Sequence, residues 1–118
     1  MIAHIVLFRP RPDLSPQAQQ ALVAAFKAAL TEIPSIQRAQ IGRRMVHGRA
    51  YEALMQSDYS YAAILEFEDR AGLVAYLEHS SHARLAAQFF EAFEEALMYD
   101  FELHDGTAGL AALLGAAH

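Results

Sequence analysis

The sequence contains no cysteine. Disulfides and thiolate metal sites are therefore excluded as sources of stability, and a reducing cytoplasm is the expected location. No apolar run reaches the ~20 residues of a membrane-spanning helix. The basic residues of MIAHIVLFRPR follow its apolar stretch, the reverse of the order in a secretory signal. Basic charge is scarce: 9 Lys and Arg face 14 Asp and Glu, a net charge of −5. That balance argues against nucleic acid as a partner, because phosphate binding needs a basic surface. Also missing are a phosphate-cradling Gly-rich loop, G-x-S-x-G and H-E-x-x-H. No cofactor is expected from what remains.

What is present fits one domain of 118 residues. Hydrophobic residues make up 54% and charged residues 19%, which excludes disorder. Charge is uneven: residues 1–50 hold seven bases and two acids, residues 51–118 two bases and twelve acids. A basic patch could meet an acidic one within or between chains, although solvated faces of different charge account for the same pattern.

Residues 2–8, β-branched and aromatic, read as a strand with His4, Val6 and Phe8 on one face and Ala3, Ile5 and Leu7 on the other. Ser15-Pro16 starts a helix, Leu22, Phe26, Ala29, Leu30 and Ile33 repeat at helical spacing, and Pro34 ends it. Residues 36–46 read as extended, with Gly42 as a possible bulge, and 47–60 as a polar connection. Residues 61–68 form a third strand, with Tyr61, Ala63, Leu65 and Phe67 on one face. Asp69 caps a short helix over 70–78, and Ser80 or Ser81 opens a longer one to about residue 96. Its inward side is Leu85, Phe89, Phe93 and Ala96. Residues 98–103 alternate as a last strand, placing Met98 and Asp100 opposite Tyr99 and Phe101. The order βαβ–βααβ predicts an α+β, ferredoxin-like protomer with a mostly antiparallel four-stranded sheet and helices on one face. The second face keeps Ala3, Ile5, Leu7, Ile64, Tyr99 and Phe101, with no element left to cover it. A homodimer is expected. Residues 104–118 read as a tail that either docks as a short helix or frays.

The polar candidates cluster in Tyr76-Leu-Glu-His79-Ser-Ser-His82, with His4 and Asp100 elsewhere. His82, at a helix start, suits a general base, because the positive helix end favours neutral imidazole. Asp100 would hold one of its nitrogens, and Tyr76 would donate to a developing oxyanion. Equally, His82 can be a helix cap and Tyr76 ordinary core. His79 and His82, with His4 or Asp100, make a metal site arithmetically conceivable, but the helix break at Ser80-Ser81 spoils the alignment, and no metal is expected. Tyr61 is a core tyrosine or a pocket wall. Glu66 is a rim residue, and His47, His104 and His118 receive no role.

Four pieces of the sequence resemble one family, the stress-responsive α/β barrel or "Dabb" domain: HIVLF (His4 to Phe8), Ile33-Pro34 with Gly42 downstream, Tyr61–Phe67 followed by Tyr76, and YLEHSSH running on to Tyr99-Asp100-Phe101. The likeness covers about residues 2–103. It implies a dimeric α+β barrel of ferredoxin-like protomers, each with an apolar-ligand pocket between sheet and helices. The family includes stress-induced plant proteins and a polyketide cyclase that performs an intramolecular aldol condensation without a cofactor. Carried over by position, the resemblance puts the base on His82, its tyrosine partner on Tyr76 and the orienting aspartate on Asp100. His4 and His79 match pocket histidines, and Val6, Phe8, Leu22, Phe26, Leu85, Phe93 and Met98 the apolar wall. The expected function is that of a cofactor-free, cyclase-like lyase or isomerase acting on a small apolar or polyketide-like molecule. The alternative is a stress-associated ligand-binding or assembly protein without chemistry, and cofactor-free monooxygenases share the fold. Ser80 replaces the proline of the family's H-P-x-H, Tyr61 replaces a pocket histidine, the 47–60 connection is long and the tail is extra.

Overall fold

The computed structural model describes residues 1–115, so His118 lies outside the described residues. The elements run β1 (Ile2–Pro10), α1 (Pro16–Glu32), β2 (Arg38–Arg43), a 3-10 turn (Ala50–Leu54), β3 (Tyr61–Phe67), α2 (Arg70–Glu78), α3 (Ser80–Ala92), β4 (Phe93–Glu102) and α4 (Gly106–Gly115). The four strands form one antiparallel sheet in the order β2-β3-β1-β4. This is the ferredoxin-like α+β plan. The molecule is 21 Å in its thinnest dimension, the thickness of one sheet and one helix layer, each about 10 Å deep.

Local chemistry sets most boundaries. Ser15 Oγ accepts from the Ala18 amide at 3.1 Å, Pro16 fills the first turn of α1, and Ile33 before Pro34 turns extended. Asp69 Oδ1 accepts from the Gly72 amide at 2.9 Å and starts α2. Gly72 lies close against the Phe67 Cβ, 3.5 Å from where its own Cβ would be. Helix α3 opens at Ser80, as expected, and its cap is His79, whose Nδ1 accepts from the Ser81 amide at 3.0 Å. Two expectations need correction. Gly42 makes no bulge and pairs in regular register with Ala62. Helix α3 stops at Ala92, and the chain enters β4 at Phe93, not at 98. Residues 93–97 have good helix formers, but strand pairing overrides propensity. Pro10 pairs with Phe93, Arg9 with Glu95 and Phe8 with Ala96, and the Arg11 amide donates to the Ala92 carbonyl at 2.9 Å. The Arg9 guanidinium holds the Glu95 carboxylate at 2.8 Å.

The core lies between sheet and helices. Val6, Phe8, Ala63, Leu65 and Phe67 from the strands meet Ala29 and Ile33 at the end of α1, Leu73 and Tyr76 of α2, and Leu85 and Ala92 of α3. On the other face, Ala3 is buried and Ile5, Leu7 and Ile64 are half-buried, while Leu97, Tyr99 and Phe101 remain exposed. Within the tail, Gly106–Gly115 forms a helix. Gly106, with φ of 54°, turns the chain, and Gly109 packs so tightly on His104 that a Cβ there would sit 2.7 Å from it. Leu110 and Leu114 of α4 point to solvent.

Phe67 is fully buried. Phe67→Ala should cost about 3–5 kcal/mol in denaturant unfolding, the usual range for emptying such a site. Ending the chain at Leu103 should leave the melting temperature of the remaining domain nearly unchanged, because among the described residues no strand or core-cluster residue lies beyond it. A loss of several degrees would show that α4 supports the domain.

Candidate functional site

The helices do not pack flat on the sheet. A cavity of about 360 Å³ remains between them. Strand β1 contributes His4, Val6 and Phe8, alternate residues on one face; β3 contributes Ala63 and Leu65, and β4 Phe93 and Met98. Helix α1 adds Leu22, Val23 and Phe26, spaced to share one helix face. Tyr76 comes from α2, and His82, Leu85, Ala86, Phe89 and Phe90 from α3. Ile41 of β2, Val23 and Phe90 are 54%, 66% and 69% exposed and form an apolar rim. Phe8 anchors the aromatic wall, with ring centroids 4.4 Å from Phe93 and 5.4 Å from Phe89.

Polar groups gather at one place in this apolar surface. The Tyr76 ring lies between two imidazoles, 4.7 Å from His82 and 5.7 Å from His4. His4 is 7% exposed and Tyr76 4%. Burial, aided by the Asp100 carboxylate, pushes the Tyr76 hydroxyl up to about 12, so it is a hydrogen-bond donor throughout the neutral range. Burial holds His82 below the ordinary histidine value; nearby His4 acts in the same direction, and a backbone hydrogen bond with Leu77 opposes them. His82 is therefore a neutral imidazole near pH 7.

Asp100 departs from expectation. Its Oδ1 lies 2.6 Å from Nδ1 of His4, its cross-strand partner in the β1–β4 register. Among the described residues it makes no hydrogen bond to His82. The expected orienting acid of His82 is thus the orienting acid of His4. Register explains this: paired residues on one sheet face are about 5 Å apart, whereas His82 projects from a helix across the cavity. His79 and Tyr61, the other two expected pocket residues, are outside the lining. His79 is occupied as the α3 cap, and the Tyr61 ring stacks against Phe8 at 5.7 Å. Val23, Ile41, Ala86 and Phe90 line the cavity without having been singled out. Val23, three residues before Phe26, is legible from helical spacing, but an exposed Phe90 has no sequence signature. Among the described residues, no group of three His, Asp or Glu side chains is arranged to hold a metal ion.

Residues 2–103 match the sequence model of the Stress responsive A/B Barrel Domain, Dabb. Three similar solved structures show the same fold. A hydroxynitrile lyase from Passiflora edulis is 17% identical, with a TM-score of 0.72 over 89% of this chain and 94% of that one. A dimeric ferredoxin-like protein of unknown function from Thermobifida fusca is 22% identical, with a TM-score of 0.65 over 86% and 90%. A mutant of SnoaB, a cofactor-independent oxygenase from Streptomyces nogalater, is 15% identical, with a TM-score of 0.64 over 90% and 95%. No curated protein matches the sequence.

The depressed His82 has a consequence for stability. Below about pH 6.5 the unfolded chain takes up a proton at this position that the folded chain resists. This part of the stability is present above that pH and is lost as the pH falls through the folded value. The drop in melting temperature between about pH 8 and pH 5 should be smaller in His82→Gln than in the parent. An equal drop in both would show that His82 does not titrate abnormally.

Proposed function

The chain belongs to the stress-responsive A/B barrel domain family, and we propose that its cavity binds a small apolar, ketone- or polyketide-like molecule and acts on it without a cofactor. The chemistry proposed is that of a cyclase-like lyase or isomerase of the aldol type. His82 would take a proton from carbon, and Tyr76 would donate to the developing oxyanion. The observation that supports this most is the concentration of polar groups: one apolar cavity carries two imidazoles and a phenol at a single place. A neutral histidine beside a protonated tyrosine is a base next to a donor at neutral pH. Two of the similar structures are named as enzymes, a lyase and a cofactor-independent oxygenase.

The second reading, a stress-associated protein that binds a ligand or assembles without chemistry, is favoured by one observation. Among the described residues His82 has no carboxylate to orient it, and Asp100 is engaged with His4. Turnover separates the two. Thermal-shift screening with apolar aryl and alkyl ketones should find ligands that raise the melting temperature of the parent. On a ketone that is turned over, His82→Ala should lower kcat at least ~100-fold, the usual contribution of a general base, and leave the fold intact. Binding without turnover, equal in parent and variant, would select the second reading.

The proposed assembly is a homodimer through the open sheet face, and the proposed location is the cytoplasm. Ile5, Leu7, Ile64, Leu97, Tyr99 and Phe101 make that face apolar, and a solved relative of the same fold is described as dimeric. Among the described residues no helix is long and apolar enough to cross a membrane. Ile5→Asp, which would bury an unpaired charge in such an interface, should give a monomer by light scattering where the parent is a dimer. A parent that is monomeric at micromolar concentration would exclude the assembly.

A further inference from the structure

We propose that His4, held by Asp100, is a second acid–base residue of the site, donating a proton to the carbonyl oxygen of an enolisable ketone while His82 takes one from carbon. This rests on the cavity being a ligand site, as proposed above.

The argument begins with pairing. His4 and Asp100 face each other across β1 and β4, Nδ1 to Oδ1 at 2.6 Å. A proton on His4 therefore lies against a carboxylate; among the described residues, one on His82 has no such partner. With Nδ1 turned to Asp100, the nitrogen left for a ligand is Nε2. It has no hydrogen-bond partner among the described residues. It is not sealed off either: the buried side-chain polar atom without a partner, among the described residues, is Ser35 Oγ, elsewhere in the fold. The titratable groups around His4 are Tyr76 from α2, His82 from α3 and Asp100 from β4, while β3 presents Leu65 opposite it. Glu66 pairs with Ala3 and so occupies the other sheet face. One imidazole thus faces a carboxylate through Nδ1, and the other faces none among the described residues. Paired groups whose surroundings differ in this way can divide into acid and base.

The step balances. Neutral His82 accepts the proton on the carbon beside the carbonyl, and the C–H electron pair becomes the new C=C bond. The carbonyl π pair moves to oxygen, which receives the Nε2 proton of His4. One proton leaves carbon, one arrives on oxygen, and the product is the enol. His82 ends protonated and His4 neutral, with its Nδ1–H donated to Asp100. Transfer of one proton from His82 to His4 through solvent restores the start.

The test uses 4-nitrophenol, a flat apolar molecule whose phenolate mimics an enolate oxygen and absorbs visible light. The parent should bind it and ionise it below the pH at which it ionises in water. Asp100→Asn, a near-isosteric change at a half-exposed side chain, should bind it with at least about tenfold less phenolate, the effect of losing one charge-assisted hydrogen bond; His4→Gln should do the same. In ¹⁵N-histidine spectra, His4 should take up its proton at higher pH than His82 in the parent, and the gap should close in Asp100→Asn. Equal phenolate in parent and Asp100→Asn, or protonation of His82 before His4, would overturn the donor role and leave the ligand site standing. No binding of 4-nitrophenol by the parent would instead count against the ligand site, and the donor role would fall with it.

Discussion

The registers on either side of β1 control the rest of the structure. As an inner strand, β1 is antiparallel to β3 along one edge and to β4 along the other, with Ile2 to Phe8 paired on both sides. Because side chains alternate, one register decides two surfaces at once. It sends His4, Val6 and Phe8 under the helices with Leu65, Ala63, Asp100 and Met98. It sends Ile5 and Leu7 to the open face with Ile64, Leu97 and Tyr99. A slip of one residue would exchange the cavity floor for the open apolar face and separate His4 from Asp100. Cavity, acid pair and exposed face therefore share one determinant, the pairing of the inner strands.

The cavity exists because large aromatic side chains keep the helices off the sheet. Phe8, Phe89 and Phe93 pack against one another at ring spacings of 4.3–5.4 Å, and Tyr61 stacks behind Phe8. Such geometry is specific and cannot collapse as aliphatic side chains can. The polar residues then occupy surroundings that charge each one differently. Tyr76 is held protonated by burial, His82 is held neutral by burial, and His4 has a carboxylate. Tyr76 and His82 are thus set in opposite senses, one as a donor and the other as an acceptor, while His4 is distinguished by its carboxylate partner.

Much of this was legible in the residues themselves. Ser15-Pro16 and Pro34 delimit α1 through caps and backbone restriction, Asp69 starts α2, and strand alternation assigned both sheet faces correctly from Ile2 to Phe8 and Tyr61 to Phe67. The β4 boundary was not legible. Residues 93–97, FEEAL, carry the local signal of a helix, and what makes them a strand is pairing with Arg9 and Pro10 more than eighty residues earlier. The same blindness to long-range register hid the His4–Asp100 pair. Tyr76 and His82 could be grouped from spacing in one short stretch. Which imidazole the aspartate joins depends on two strands 96 residues apart.

That assignment also constrains how far the family's pattern carries into this chain. The family pattern has proline after the first histidine of its turn; here Ser80 follows His79, and His79 serves as the cap of α3 through its own ring. His79 lies outside the cavity lining, its Nδ1 accepting from the Ser81 amide. The polar contribution from the sheet side is His4. Strands hold side chains more rigidly than the first turn of a helix, and a group positioned by β1 and β4 together is anchored through two ladders of backbone hydrogen bonds. In this protein His4 is held by a strand paired on both sides and His82 by the first turn of α3. Under the proposed chemistry, a donor to one fixed oxygen would gain from the first placement, and a base that must approach a carbon from the second. The proposed division of labour between the two histidines thus matches the secondary structure that carries each of them.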